Sequence, residues 1–520
     1  MKGTIRYQVQ DRMVEREVNY IPVRFILAIV LAVLETAAII AIVFALCYYV
    51  PYFYLAVWMT EVACVIRIIA SDDNPDYKIP WLMVVLLIPV AGFMMYFLFY
   101  DRKLHRRYIK RLQAMKSIGH KPDDSRLFAG LAEESMTAHN QAKMLCSIAE
   151  SHLYSDTKQE YFPLGEDMFR RLLEDLRAAE KFIFMEYFII EEGVFWNSIL
   201  DILKEKAAQG VEVKVVYDDI GCMMTLPGDY FRTLRSFGID AAPFSALKGN
   251  ADSEFNNRSH RKITVIDGKV GYTGGVNIAD EYINEVVKFG HWKDVGLRLE
   301  GDAVKELANL FLIDYGINVR KQLEPQHDYF PECAQPEPGY LIPFGDGPAP
   351  IYRRRVGKSV IQNMLNQANR YVYIMSPYLI IDNELCQAIE DTALRGVDVK
   401  LILPHVPDKK IILEMARSFY RRLIDAGVEV YEYEPGFVHA KCYLADDEYA
   451  MVGTINLDYR SLVHHFENGV WMYRCACLKD IRKDFAATLE KCIRIDETKI
   501  QWKLSQRFVR AVLKVFAPML

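Results

Sequence analysis

His260-Arg261-Lys262-Ile263-Thr264-Val265-Ile266-Asp267, continuing as GKVGYTGGVN to Asn277, holds two β-rich segments around one dipeptide. KITVI and KVGYT flank Asp267-Gly268, which favours a two-residue hairpin turn. The pattern returns as His439-Ala440-Lys441-Cys442-Tyr443-Leu444-Ala445-Asp446, followed by DEYAMVGTIN. In both copies Lys stands two residues after His, Asp seven, Gly (Gly274, Gly453) fourteen and Asn (Asn277, Asn456) seventeen. Equal offsets at five positions mark a duplication. The second turn is looser, with Asp446-Asp447-Glu448 at its tip.

Side chains alternate along a strand, so His260 and Lys262 share a face, as do His439 and Lys441. An imidazole beside an ammonium suits an anionic substrate. The ammonium neutralises a phosphate oxygen while the imidazole attacks phosphorus or moves a proton. The Gly-Gly and Gly-Thr pairs that follow let backbone approach a ligand, and each Asn can donate to a non-bridging oxygen. A single His-x-Lys is ordinarily a solvated face, and an Asp at a hairpin tip is ordinarily a turn residue. The second copy moves His, Lys and Asn to the functional reading and leaves Asp267 and Asp446 open between the two.

The duplication extends beyond the hairpins. RYVYIMSPYLI matches KFIFMEYFII, GVDVKLILP matches GVEVKVVYD, and LIDAGVEVYEY matches LRSFGIDAAPF. Helical and strand patterns alternate in both, FRRLLEDLRAAE being amphipathic at helical spacing and ILDILKEKAAQG ending at Gly. This predicts two α/β units, each with its sheet inside and its hairpin last, sharing one site at a pseudo-two-fold seam. The first spans 151–325 and the second 351–498, joined by a linker over 326–350 that holds the Pro/Gly-rich stretch AQPEPGYLIPFGDGPAP.

Ahead of the units, Phe25 to Ile69 is apolar except for Glu35, Glu61 and Arg67, and Trp81 to Tyr100 is a further apolar run. Their length predicts membrane spans over about 25–47, 51–70 and 81–100. A segment of 101–150 connects this transmembrane region, 25–100, to the first unit. DRKLHRRYIKRLQAMK carries seven Lys and Arg against one acid, which places it and all that follows in the cytoplasm. The acidic 71–80 loop then reads as outside. Three spans would put residues 1–24 outside too, against their five basic residues; a first run that does not span is the alternative. Residues 1–24 have no signal-peptide cleavage site. The tail, 499–520, sets Trp502, Phe508, Val509, Val512, Leu513 and Phe516 at near-helical spacing among basic residues. It reads equally as an interfacial helix on an anionic membrane or as a helix docked on the second unit.

A net charge of −5 over 520 residues provides no basic field for nucleic acid. The ten cysteines include no CxxC pair, and Cys475 and Cys477 in VWMYRCAC read as core strand, which fits a reducing compartment rather than disulfides or zinc.

The duplicated His-x-Lys-x4-Asp motif resembles the phospholipase D superfamily. The resemblance implies two α/β sandwich halves packed face to face, with both motifs lining one site. It implies that one His attacks phosphorus to form a phosphohistidine while the other protonates the leaving alcohol, with no cofactor or metal. His260 then fits the nucleophile, which the family usually keeps in the N-terminal half, and His439 the acid. Lys262, Lys441, Asn277 and Asn456 would hold the phosphate. Asp267 and Asp446 complete the catalytic motif or act mainly in the structure. Asp294 (in HWKD) and Glu467 (in HHFENG) match the residues that orient each histidine. NPDYKIPWLMVVLLIPVAGFMMYFLF and the basic tail resemble the same regions of bacterial cardiolipin synthases, the 25–47 run being extra. That implies a membrane enzyme joining two phosphatidylglycerol molecules into cardiolipin and glycerol. Hydrolytic phospholipase D action is the alternative with the same residues; a nucleic-acid phosphodiesterase and a non-catalytic membrane scaffold fit less well.

Overall fold

The computed structural model describes residues 2–9, 12–19, 23–71, 73–88, 90–99, 112, 120–245, 257–319, 327–496 and 504–517. Strands β1 (Lys2–Val9) and β2 (Arg12–Asn19) form an antiparallel hairpin. Four helices follow: α1 (Val23–Tyr49), α2 (Pro51–Ala70), α3 (Pro75–Leu87) and α4 (Ala91–Phe99). Among the described residues one helix, over Tyr52–Ala70, is long and apolar enough to cross a membrane, by length and composition.

The first half is built on β3 (Thr157–Phe162), β4 (Phe182–Tyr187), β5 (Glu212–Asp218), β6 (Asp240–Phe244), β7 (Lys262–Ile266), β8 (Val270–Gly274) and β10 (Gly296–Gly301), with the short β9 (His291–Lys293) outside the main sheet. The sheet order is β3-β10-β8-β7-β4-β5-β6. The second half uses β11 (Tyr340–Asp346), β12 (Tyr371–Met375), β14 (Asp398–Pro404), β15 (Glu429–Tyr433), β17 (Cys442–Ala445), β18 (Tyr449–Gly453), β20 (Glu467–Tyr473) and β21 (Cys492–Ile495). Short strands β13 (Leu379–Ile380), β16 (Gly436–Val438) and β19 (Leu457–Asp458) lie between them. Its order, β11-β20-β18-β17-β12-β14-β15-β21, repeats the first strand for strand and adds β21 at one edge. β4 and β12 pair in parallel on one side and with the motif hairpin on the other. Every residue of β4, β7, β12 and β17 is buried, which is why these strands read as near-continuous apolar runs. One hydrophobic core crosses the seam: Phe184, Val265, Leu297 and Phe311 of the first half join Phe344, Val438, Leu444 and Phe466 of the second.

Four expectations need correction. YLIPFGD, inside the predicted linker, is β11, the edge-strand counterpart of β3. Pro343 can sit there because an edge strand leaves one row of N–H positions unneeded. The run at 81–100 is not one helix. It breaks after Leu87, with Val90 in the left-handed region at φ 68°, and folds back into α4. The acidic loop before it, which reads as outside, is instead bonded to the second half, which the same reading places in the cytoplasm: Asn74 Nδ2 donates to Asp382 (2.8 Å), and the Asn383 N–H donates to Asp76 (2.7 Å). Cys475 and Cys477 are buried but lie in the turn after β20, because the strand ends at Tyr473. The nine described cysteines are all free thiols.

The tail helix, Leu504–Phe516, docks on the second half. Arg510 pairs with Glu414 (2.6 Å), Lys514 lies over the Phe419 ring, and Leu513 and Ala517 pack with Met415 and Tyr459. Trp502 and the side chains of Phe508 and Val509 fall outside the described residues.

Candidate active site

Each motif histidine sits just before its hairpin, where the two halves exchange backbone hydrogen bonds. The His260 N–H donates to the Phe466 carbonyl (2.8 Å), and the His439 N–H donates to the Lys293 carbonyl (2.7 Å). Phe466 and Lys293 each precede one of the acids matched from the sequence. The acids therefore serve crosswise. Glu467, of the second half, lies 2.9 Å from Nδ1 of His260, and Asp294, of the first, lies 2.6 Å from Nδ1 of His439. All four side chains are buried. β16 and β9 extend the exchange as a parallel pair across the seam, and Asn468 Nδ2 donates to Thr273 Oγ1 (2.7 Å).

The lysines complete two matched corners. Lys262 Nζ donates to the His260 carbonyl (2.7 Å), and Lys441 Nζ to the His439 carbonyl, 2.8 Å from His439 Nδ1 as well. Burial pushes Lys262 down to about 7 and Lys441 down to about 8, the Lys441 charge adding to the shift at Lys262. Buried ammonium groups close to one another favour an anion between them.

The two histidine–acid pairs differ electrostatically. Burial works to raise Glu467, but the His260 ring, by its attraction when protonated and by its hydrogen bond, overcomes it and holds the carboxyl well below the usual range. Thr454 Oγ1 also donates to Glu467. Burial pushes His260 down to about 3, so its neutral ring donates Nδ1–H to the ionised Glu467 and keeps the Nε2 lone pair outward. At the other corner burial pushes Asp294 up to about 7 and His439 well below its usual range. Gly275 stands where the second half has Thr454, because a Cβ there would overlap the Asp294 carboxylate.

Asn277 accepts from the Ile189 N–H (3.1 Å) and donates to the Tyr282 hydroxyl (2.7 Å); Asn456 donates to Asp458 (3.3 Å). Both are buried. Asp267 and Asp446 are not brought to the histidines. Each closes the far end of its hairpin, at a turn whose two central residues have positive φ, and accepts three backbone N–H groups. These are Glu180, Lys181 and Phe182 for Asp267, and Asn369, Arg370 and Tyr371 for Asp446. Their carboxylates anchor β4 and β12 beside the hairpins, which favours the structural one of the two readings that the sequence leaves open.

Several residues escaped the sequence reading. Arg258 forks onto Asp218 (2.9 and 3.0 Å) and fixes the approach to His260. Phe188 stands edge-on to His260, while Tyr282 and Trp292 wall His439. Nothing in local sequence marks these; only Thr454 lay inside a noted pair. His260, His465 and Glu467 bring ligand-type atoms within 4.8 Å of one another. A cation there would have to displace the proton shared by His260 and Glu467, which argues against the fit.

Duplicated sheets with two His-Lys pairs at one seam define a class of phosphodiester-transferring enzymes. Residues 172–288 and 361–489 match the family described as cardiolipin synthase, PLD-like domain, and residues 62–99 match the phospholipase D-nuclease N-terminal family. A Streptococcus mutans protein is 41% identical over 88% of this chain and 100% of its own. A cardiolipin synthase of Alkalihalophilus pseudofirmus is 30% identical over 94% of this chain and 99% of its own. The solved phosphatidylserine synthase of Haemophilus influenzae shares the fold, with a TM-score of 0.57 at 16% identity over 74% of this chain and 98% of that one. The chain belongs to the cardiolipin synthase family of the phospholipase D superfamily and is a phosphatidyltransferase.

Proposed function

We propose that this enzyme makes cardiolipin from two phosphatidylglycerol molecules through a phosphohistidine. The phosphodiester of the first lipid sits between Lys262 and Lys441, whose ammonium forms its charge restores. Nε2 of His260 attacks phosphorus, and the P–O bond to the terminal glycerol breaks. His439, charged once the anion is bound beside it, gives its Nε2 proton to the departing glycerol oxygen. The second phosphatidylglycerol then loses its hydroxyl proton to His439 and attacks phosphorus, releasing His260 and forming cardiolipin.

The observation that carries this reading is the pair of crossed histidine–acid contacts, one acid held ionised and the other raised toward neutrality. The first leaves His260 a fixed lone pair; the second suits a group that exchanges protons. Asn277 and Asn456 steady the phosphate, and no metal enters the cycle. The catalytic halves face the cytoplasm, supported by the basic run after residue 100.

The test is purified full-length protein with phosphatidylglycerol vesicles and a chelator, read by mass spectrometry. Cardiolipin and glycerol in equal amounts are expected. Phosphatidic acid as the sole product would make the enzyme a hydrolase.

A further inference from the structure

The segment 75–99 begins and ends on the same side as the catalytic halves. Its entry is bonded to the second half through Asn74 and Asp76, and Tyr77 rests against the His464 ring at 5.7 Å. Past its exit, the His120 N–H is bonded to Asn309 of the first half. The chain between, 100–119, is too charged to cross a bilayer. The segment therefore crosses twice or not at all. Its arms settle the choice. α3 has 13 residues and α4 has 9, about 20 and 14 Å of helix, against a hydrocarbon core of about 30 Å. The arms lie side by side: the Trp81 and Tyr96 rings are 6.0 Å apart, whereas a straight helix would separate them by about 22 Å. A Cβ on Gly92 would strike the Val84 carbonyl.

We infer that α3 and α4 form a re-entrant hairpin seated in the bilayer leaflet that faces the catalytic halves, a conclusion that rests on the membrane reading above. Its lipid-facing turn carries Leu86, Leu87 and Ile88, each at least half exposed. The hairpin packs on Cys64 and Ile68, in the half of α2 nearest the catalytic side. The tail helix touches α3, so the basic tail lies at the hairpin's base. The foot of the hairpin bears on the turn Arg460–His464, which joins Asn456 to His465 and Glu467. Membrane anchor and catalytic seam are thus in direct contact.

The crossings then come to two, α2 and α1, whose 27 residues carry only Arg24 and Glu35 as charges, and the hairpin of β1 and β2 lies on the catalytic side. A separate observation agrees: β1 lies against the first-half helix Val194–Ala208. This places Lys2, Arg6, Arg12 and Arg16 on the side that basic flanks favour and removes the conflict a third span creates.

The test uses full-length protein tagged at both ends in bacterial membranes. Retention after alkaline carbonate washing is expected; release would overturn the membrane reading itself. In retained protein, protease applied to inside-out vesicles should remove both tags, and applied to right-side-out vesicles neither. An N-terminal tag exposed on the face opposite the C-terminal tag would overturn the re-entrant hairpin. A D76C/N383C double variant, oxidised in isolated membranes with copper phenanthroline, should yield the disulfide-linked peptide pair, read by mass spectrometry. Its absence, with the tags intact, would also overturn the assignment.

Discussion

At the scale of single residues, the two histidines look alike in sequence and unlike in place. His260 leans on an acid that stays ionised, His439 on one that burial pushes up to about 7. His260→Ala should abolish any trapped phosphoenzyme, while His439→Ala should still form it slowly; acid-quenched labelling with lipid phosphorus separates them, and the reverse pattern would exchange the roles. The raised Asp294 also has a consequence for stability. Its folded pKa lies above the unfolded value, so its contribution is present below about 4 and lost as pH rises through about 7. Asp294→Asn, which cannot ionise, should gain on the native protein across that window, by at most about 4 kcal/mol; melting curves at several pH values would read it. The sequence made both His-Lys pairs legible because a fixed spacing on a strand survives any tertiary arrangement; the two acids, at unequal distances from their motifs, came only from the family resemblance of HWKD and HHFENG. It could not tell which acid serves which histidine. That pairing depends on how Phe466 and Lys293 cross the seam, and no local pattern encodes it.

Elements divide in the same way. The two hairpins, β4 and β12 and the parallel strands beside them were legible because turn chemistry and apolar periodicity are local. β11 was not, since its Pro and Gly content imitates a linker when its edge position is unknown. The α3–α4 break was hidden for another reason: an apolar run has the same composition straight or folded back. The motif aspartates belong to this scale. Each ties a hairpin tip to the start of a central strand by three N–H groups. Asp267→Ala should therefore lower stability by about 2–3 kcal/mol while the folded fraction keeps turnover within a few fold of normal. A denaturant series with parallel activity measurement checks both halves of that statement, and loss of turnover in fully folded protein would return Asp267 to the chemistry.

For the whole molecule, the crossed acids and the shared core make the halves energetically inseparable. Substitutions that share one corner should be non-additive even though they lie in different halves. In a double-mutant cycle, His260→Ala and Glu467→Gln should show a thermal-stability coupling of about 1–3 kcal/mol, and His260→Ala with Asp294→Asn much less. Equal coupling in both cycles would mean that the corners are not distinct pairs.

The crossed arrangement bears on how such a site can change over time. An assembly of two identical chains would place the same acid at both corners, so any alteration would strike both at once. With the two copies in one chain, each corner can be altered alone, and here it has been: Glu467 with Thr454 on one side, Asp294 with Gly275 on the other. Joining the copies is what allowed two equivalent histidines to become specialists.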